Sequence, residues 1–389
     1  MSERKSKEQL NRLKKKYNVN RLWSWSRYNA YKTDAYGYFL RYIKHEPETR
    51  TNIYGVSGGV CHDILENLYL KKIKYEDMLQ EYENKLFEMN SLELKYDRND
   101  EDKNKTIAKK YEENMRLFFQ QHIPVKGKVK IEQFVTIRVG KYMFQGYIDF
   151  IHKENDKYII TDFKTSTIYV GAKIQKEAGQ LILYAESLIQ RGISIENILI
   201  RWNFLKYCTT EYQLKGVDKV TKLHKTKAKH SLRTEWVKGI ENNLRMWLKT
   251  MEYEELEIED MVQTCIENNN LDILPKELQN KYKTSDCYVY IPLNQEMIDE
   301  LKDNITDTLD EIISKEKEYK ETNDDKLFWT SIDKSNEYYF YCLSGYSRNQ
   351  HKPFNEYLND INMFTNGLDK NEYKSKSESN YDMSWLNDL

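Results

Sequence analysis

The chain has 389 residues, with 61 basic and 62 acidic side chains, a formal net charge of −1 and 31 tyrosines. Only 14 glycines and 5 prolines exclude collagen-like and Pro/Gly-rich disordered classes, and a chain this long can bury a sizeable core. Five scattered cysteines without a C-x-x-C pair argue for a reducing compartment; with a charged N-terminus and no apolar run of roughly 18 residues, they predict a cytoplasmic protein (in a bacterial or phage-infected cell, by its AT-rich-genome composition) that does not enter a membrane.

In chain order, residues 4–17 predict a short amphipathic helix. Over 24–43, Tyr28, Tyr31, Ala35, Tyr38, Phe39 and Tyr42 recur at steps of three and four, a helical stripe that Ser24 or Ser26 can cap. Gly58 and Gly59 precede a second helix from about Val60 to Lys72, and 75–122 reads as a polar helical insertion. Three β-rich runs follow between 129 and 164: VKIEQFVTIRV, YMFQGYIDFIH and KYIITDFKTS. Gly140-Lys141 parts the first two and a polar turn over 153–156 joins the last two. A helix over 172–191 and a buried strand over 197–207 complete a β-rich core flanked by helices, an α/β (α+β) class. From about 232 the chain reads as mostly helical. The expected division is a helical region 1–50, a core 51–210 containing the insertion, a mostly helical region 211–365 and a flexible tail 366–389.

Charge is segregated. Residues 1–50 carry 13 Lys/Arg against 5 Asp/Glu, residues 215–249 carry 10 against 3, and residues 251–272 carry eight acidic groups and no basic one. Such stretches are solvated helix faces or the footprint of a polyanion.

The stretch that carries chemistry is Gly146-Tyr147-Ile148-Asp149, then Asp162-Phe163-Lys164, then Gln180 and Tyr184. Side chains two apart on a strand share a face, so Asp162 and Lys164 point one way and Phe163 the other. The short turn makes the preceding strand antiparallel, which can bring Asp149 beside Asp162. Neighbouring carboxylates repel unless a cation lies between them, and oxygen-rich donors suit Mg2+ or Mn2+. Such an ion generates a hydroxide nucleophile from bound water, which Lys164 can orient, or Lys164 can stabilise charge on a phosphate. Gln180 and Tyr184, four apart on a helix, can face a substrate backbone together. Alone, Asp-x-Lys on a strand is more often a surface ion pair; the ordered set of three is far more specific.

This set resembles the RecB-like branch of the PD-(D/E)XK nuclease superfamily. The resemblance implies a restriction-endonuclease-like core, a central mixed β-sheet flanked by helices, with helical N- and C-terminal additions. It implies that His62, in Gly58-Gly59-Val60-Cys61-His62-Asp63-Ile64-Leu65-Glu66, is a metal ligand beside Asp149 and Asp162, with the Phe163 carbonyl completing the protein's donors. Glu132, opening the first strand, is a further candidate carboxylate and equally an exposed strand-edge residue. Ser24-x-Ser26 with Tyr31, Tyr38 and Tyr42 is similar to the N-terminal signature of the iron–sulfur members, the AddB-type and CRISPR-adaptation nucleases. Asp34-Ala35 stands where those carry Cys-Pro, and the region of Cys342 offers one thiol where a [4Fe–4S] cluster needs four. No iron–sulfur cluster is therefore expected.

The implied activity is Mg2+- or Mn2+-dependent hydrolysis of DNA, foremost by an exonuclease acting on ends in recombination, repair or phage DNA processing. A structure-specific endonuclease and a non-catalytic nucleic-acid-binding subunit are the alternatives. No G-x-x-x-x-G-K-[ST] signature is present, so any helicase is a separate chain. In 215–249 Trp236 and Trp247 stand among cations and can stack on unpaired bases, but at helical spacing Trp236, Ile240, Leu244, Trp247 and Leu248 form a core face, which leaves only the flanking cations free for phosphates. The acidic run reads as a solvated helix, and the terminal MSWLNDL can dock on a protein partner.

Overall fold

A computed structural model describes residues 4–48, 51–97 and 100–329. Cys342, the tail 366–389 and the partner contact expected of it lie outside the described residues. The described residues divide into two compact units, one within residues 4–28 and 51–310 and the other within residues 29–48 and 311–329.

α1 (Lys7–Tyr17) opens with a capping box in which Ser6 and Gln9 each satisfy the other's backbone N–H. β1 (Leu22–Trp23) leads to α2 (Trp25–Thr33), capped by Ser24, whose hydroxyl accepts the Arg27 N–H at 3.2 Å. The single stripe expected over 24–43 breaks at Asp34. Its carboxylate accepts the Gly37 N–H at 2.9 Å and starts α3 (Ala35–Phe39), which continues as a π-helical turn over Leu40–Lys44.

α4 (Ile53–Tyr69) begins about two turns before the expected Val60. Asn52 caps it through the Gly55 N–H at 2.7 Å, and Ile53, Cys61, Ile64 and Leu65 bury one face, so Gly58 and Gly59 lie inside the helix. The insertion supplies α5 (Met78–Ser91) and α6 (Glu101–Gln121). Their Tyr82, Leu86, Met115 and Phe118 share one core with Phe150, Phe163 and Leu205, so these helices cover a face of the sheet.

β2 (Val129–Val139), β3 (Tyr142–Glu154) and β4 (Lys157–Lys164) follow the three runs read from the sequence. Both connections are two-residue turns. Gly140 takes φ 54° in the first, and Asn155 and Asp156 take 46° and 63° in the second, the residue types that mirror-image hairpin turns favour. α7 (Ala172–Glu177) and α8 (Gly179–Ile189) stand where one helix was expected, and β5 (Ile198–Val217) runs well past 207. The remainder is β6 (His224–Leu232), α9 (Trp236–Thr250), α10 (Glu255–Asn268), α11 (Lys276–Gln279), β7 (Tyr282–Ile291) and α12 (Gln295–Thr322). Two strands, β6 and β7, therefore lie in the region 211–365 that the sequence predicts to be mostly helical. Of the expected core face, Ile240, Leu244, Trp247 and Leu248 are buried and pack with Ile258, Val262 and Cys265 of α10, while Trp236 is only partly buried against the same cluster.

The seven strands among the described residues form one mixed sheet flanked by helices, the α/β fold class expected. β3 pairs with β2 along one edge; on its other edge β4 occupies one end and β1 the other. β5 repeats the device. β7 lies along one edge, and the opposite edge is taken first by β4, in parallel, and then by β6. In the second unit Phe39 stacks on Phe328, and the hydroxyls of Tyr31 and Tyr38 donate to Glu311 and Glu316 at 2.7 and 3.0 Å. No described helix is long and apolar enough to cross a membrane.

Candidate active site

β3 and β4 pair from Glu154 and Lys157 up to Phe150 and Thr161, and there they part. Asp149 and Asp162 are the next step, one on each separated strand. β1 takes up the same edge of β3 only at Met143 and Phe144, so residues 145–149 leave that edge open. A cleft of about 770 Å³ lies here, bordered by His62, Glu132, Gly146, Asp149, Gln180 and Tyr184.

α4 delivers His62. Its Nε2 donates to the Phe163 carbonyl at 3.0 Å, and its Nδ1 is 3.5 Å from Asp149 Oδ2. Asp149 Oδ2 also accepts the Phe163 N–H at 3.4 Å. Asp162, 4% exposed, is ion-paired with Lys164 Nζ at 2.5 Å, while the Phe163 ring turns into the core with Phe150 and meets the His62 ring edge-on. From α8, Gln180 Nε2 donates to the Tyr184 hydroxyl at 3.1 Å. The Tyr184 ring lies on Gly146, where a Cβ would be 2.7 Å from Cε1; glycine is required for that approach. All eight residues expected from the sequence thus lie at or beside one cleft.

Glu132 faces Asp149 across a gap in the β2–β3 ladder, which pairs Ile131 with Phe150 and Gln133 with Ile148 but omits the step between. Its φ is 46°, a left-handed conformation that in a non-glycine strand residue costs on the order of 1 kcal/mol or more.

Burial drives the Asp149 carboxyl well above the usual carboxylate range. The charges of Asp162 and Glu132 add to this, and Lys164 and the Phe163 N–H only partly oppose it. Glu132 is also raised, by burial first and then by Glu66, with His62 and Arg4 opposing. For Lys164, burial works against the ammonium, but Asp162 and Asp149 outweigh it and hold the amine charged. Burial raises the Tyr184 phenol against the Gln180 hydrogen bond, so it remains a donor.

Among the described residues no three His, Cys, Asp or Glu side chains already converge as a metal site. His62 is engaged by the Phe163 carbonyl, and Asp162 by Lys164. In chemistry, however, the donors fit a divalent cation: carboxylates, a carbonyl and one imidazole. His62 Nε2 and the Phe163 oxygen are as far apart as adjacent donors on an octahedral ion, about 3 Å for bonds of roughly 2.1 Å. A carboxylate driven toward its neutral form by burial, and further by a second carboxylate, is what such an ion relieves.

Sequence reasoning assigned no role to Arg4, Trp25, Asp63 or Glu66, which also border the cleft. Glu66 had a signal, since it follows His62 by four residues on one helix. Trp25 had none: its ring lies over Gly179, where a Cβ would overlap it, a contact between segments far apart in the chain.

The family model of the PD-(D/E)XK nuclease superfamily matches residues 22–266, a span that takes in every residue above except Arg4. No curated protein matches the chain.

Proposed function

Because the chain belongs to the PD-(D/E)XK nuclease superfamily, we propose that its cleft hydrolyses DNA phosphodiesters with bound Mg2+ or Mn2+, as a RecB-like exonuclease working from DNA ends. The observation that carries this reading is the parting of β3 and β4, which leaves Asp149 and Asp162 on separated strands beside His62, Lys164 and the Phe163 carbonyl. The preference for ends, and a role in recombination, repair or phage DNA processing, rest on the RecB-like resemblance.

His62, Asp149, Asp162 and the Phe163 carbonyl would hold the ion, which when bound supplies charge neutralisation at the phosphate and a more acidic water. Lys164, fixed by its ion pair with Asp162, donates hydrogen bonds to the attacking water or to a phosphate oxygen as charge grows there. Glu132, opposite Asp149, offers a further acceptor on the water's side. Gln180 and Tyr184 present an amide and a phenol to the DNA backbone and fix its position. No iron–sulfur cluster takes part.

Digestion of end-labelled linear duplex and single-stranded DNA beside a closed circle, with Mg2+, Mn2+ or EDTA, tests the reading. Metal-dependent loss of linear DNA alone is expected, slowed by about a hundredfold or more in Asp162→Ala and Lys164→Ala. Cutting of the circle would replace the exonuclease with a structure-specific endonuclease. Binding without cleavage by the wild type would make the chain a binding subunit.

A further inference from the structure

The basic stretch from residue 215 begins as the end of a hairpin. β7 accompanies β5 only as far as Tyr212, opposite Tyr282, whereas β5 and β6 stay paired through Gln213 and Thr226 to Val217 and His224. Residues 213–226 therefore form a two-stranded finger with no further strand beside it among the described residues. Its base is rooted in α9, because Asn243 Nδ2 and Trp247 Nε1 both donate to the Gln213 carbonyl, at 3.1 and 3.0 Å. β4 and β5 are parallel with Lys164 opposite Phe204, and β5 runs on from that point. The finger thus grows out beyond the end of β4 that carries Asp162 and Lys164.

Its composition is one-sided. It holds Lys215, Lys219, Lys222 and Lys225 with one acid, Asp218. That acid is used within the tip, where Oδ1 accepts the N–H groups of Val220 and Thr221 at 2.9 Å and the Thr221 hydroxyl at 3.2 Å. None of the four lysines forms an ion pair among the described residues. The turn built by Asp218 holds out three apolar side chains, Val217, Val220 and Leu223, at 46%, 89% and 69% exposure.

We propose that this finger grips duplex DNA outside the cleft, its lysines on phosphates and its apolar tip against the bases in the groove. The charge argument is the finger's own, since four unpaired cations on one short ribbon attract a polyanion. A two-stranded ribbon fits the major groove, and apolar side chains there meet thymine methyl groups. The choice of DNA as the occupant rests on the nuclease reading of the cleft.

The test uses the full chain with the four lysines changed to Gln and, separately, with Val220→Ser and Leu223→Ser together. Binding of labelled linear duplex is measured with Ca2+ in place of Mg2+ over a salt series. Hydrolysis of bis(p-nitrophenyl) phosphate, too small to span cleft and finger, is followed with Mg2+ or Mn2+. For the lysine variant, affinity at about 0.1 M salt should fall more than about tenfold, and the slope of log K against log salt by about 3 to 4, at about 0.9 per phosphate lost. Small-diester hydrolysis and the melting temperature should be those of the wild type. The tip variant should lose affinity with its salt slope unchanged; an unchanged slope in the lysine variant, or wild-type affinity in the tip variant, overturns the proposal. A wild type inert on the small diester but with lysine-dependent, salt-sensitive DNA binding would count against the nuclease reading and leave the finger standing.

Discussion

Gly146 is where the strand of Asp149 and the helix of Gln180 touch, and the touch leaves no room for a side chain. In Gly146→Ala the new Cβ meets the buried Tyr184 ring at 2.7 Å. Overpacking of this kind costs about 1 to 3 kcal/mol, readable by urea denaturation. Cleavage should fall further than stability predicts, because the Gln180–Tyr184 pair moves with the ring; a variant that loses stability but keeps full activity would remove Tyr184 from the substrate path. Lys206 presents the opposite case, a charge with no acid paired to it among the described residues. It sits over the Tyr111 ring, 4.8 Å from the centroid, and burial, with Lys110 adding, pushes its amine down from 10.5 to about 8. Below pH 8 both folded and unfolded chains hold the proton, and the fold bears the cost of the buried ammonium. Between pH 8 and 10.5 the folded chain releases its proton first, so stability rises with pH. Lys206→Met should therefore be more stable than wild type by about 1 to 2 kcal/mol at pH 7, a gain that shrinks toward pH 10.

Among elements, β7 is tied to its neighbours through Asp286. The carboxylate accepts from His122 Nδ1 at the end of α6 and from Arg233 Nη2 after β6, both at 2.6 Å, and Arg233 Nε donates to the Leu205 carbonyl at 2.8 Å. Burial alone would raise the Asp286 carboxyl, but His122 and Arg233 hold it below the usual range. Asp286→Ala leaves Arg233, 2% exposed, without its counter-charge, which should cost about 3 to 5 kcal/mol at neutral pH. Because the folded pKa is depressed, that contribution disappears as pH falls through it, below 3.8, and the two proteins' stabilities should converge in acid; urea titrations at pH 7 and pH 3 would check both points. β7 was hard to read because its first half, YKTSD, is polar and only Cys287, Val289 and Ile291 alternate into the core. β6 gave no signal, since HKTKAKHSL is exposed along nearly its whole length and is held by its pairing with β5. β2 to β4 were legible because alternation and turn residues agree, and that register placed Asp149, Asp162 and Lys164 together. His62 needed the family resemblance. The open edge of β3, the backbone of Glu132 and the seat of Trp25 depend on distant segments meeting, which no local pattern records.

For the whole molecule, the decisive arrangement is the changing of partners along one edge of a strand. On β3 the change from β4 to β1 leaves the gap that becomes the cleft. On β5 the change from β4 to β6 lets one strand stand beside the Asp162 strand and then leave the sheet as a finger. Cleft and finger are thus built from neighbouring strands of a single sheet, linked by the parallel pairing of β4 with β5.

The pairing of β5 with β7 also has a cost in time. Ile200 is opposite Ile291, so at Ile200 the second edge of β5 stays unpaired until 91 more residues have been made. At about 5 to 20 residues per second, a ribosome takes roughly 5 to 18 s to supply them. For that interval the central strand of the sheet, carrying Trp202, Phe204 and Leu205, is an open edge. The nascent chain is then most exposed to pairing with the wrong strand.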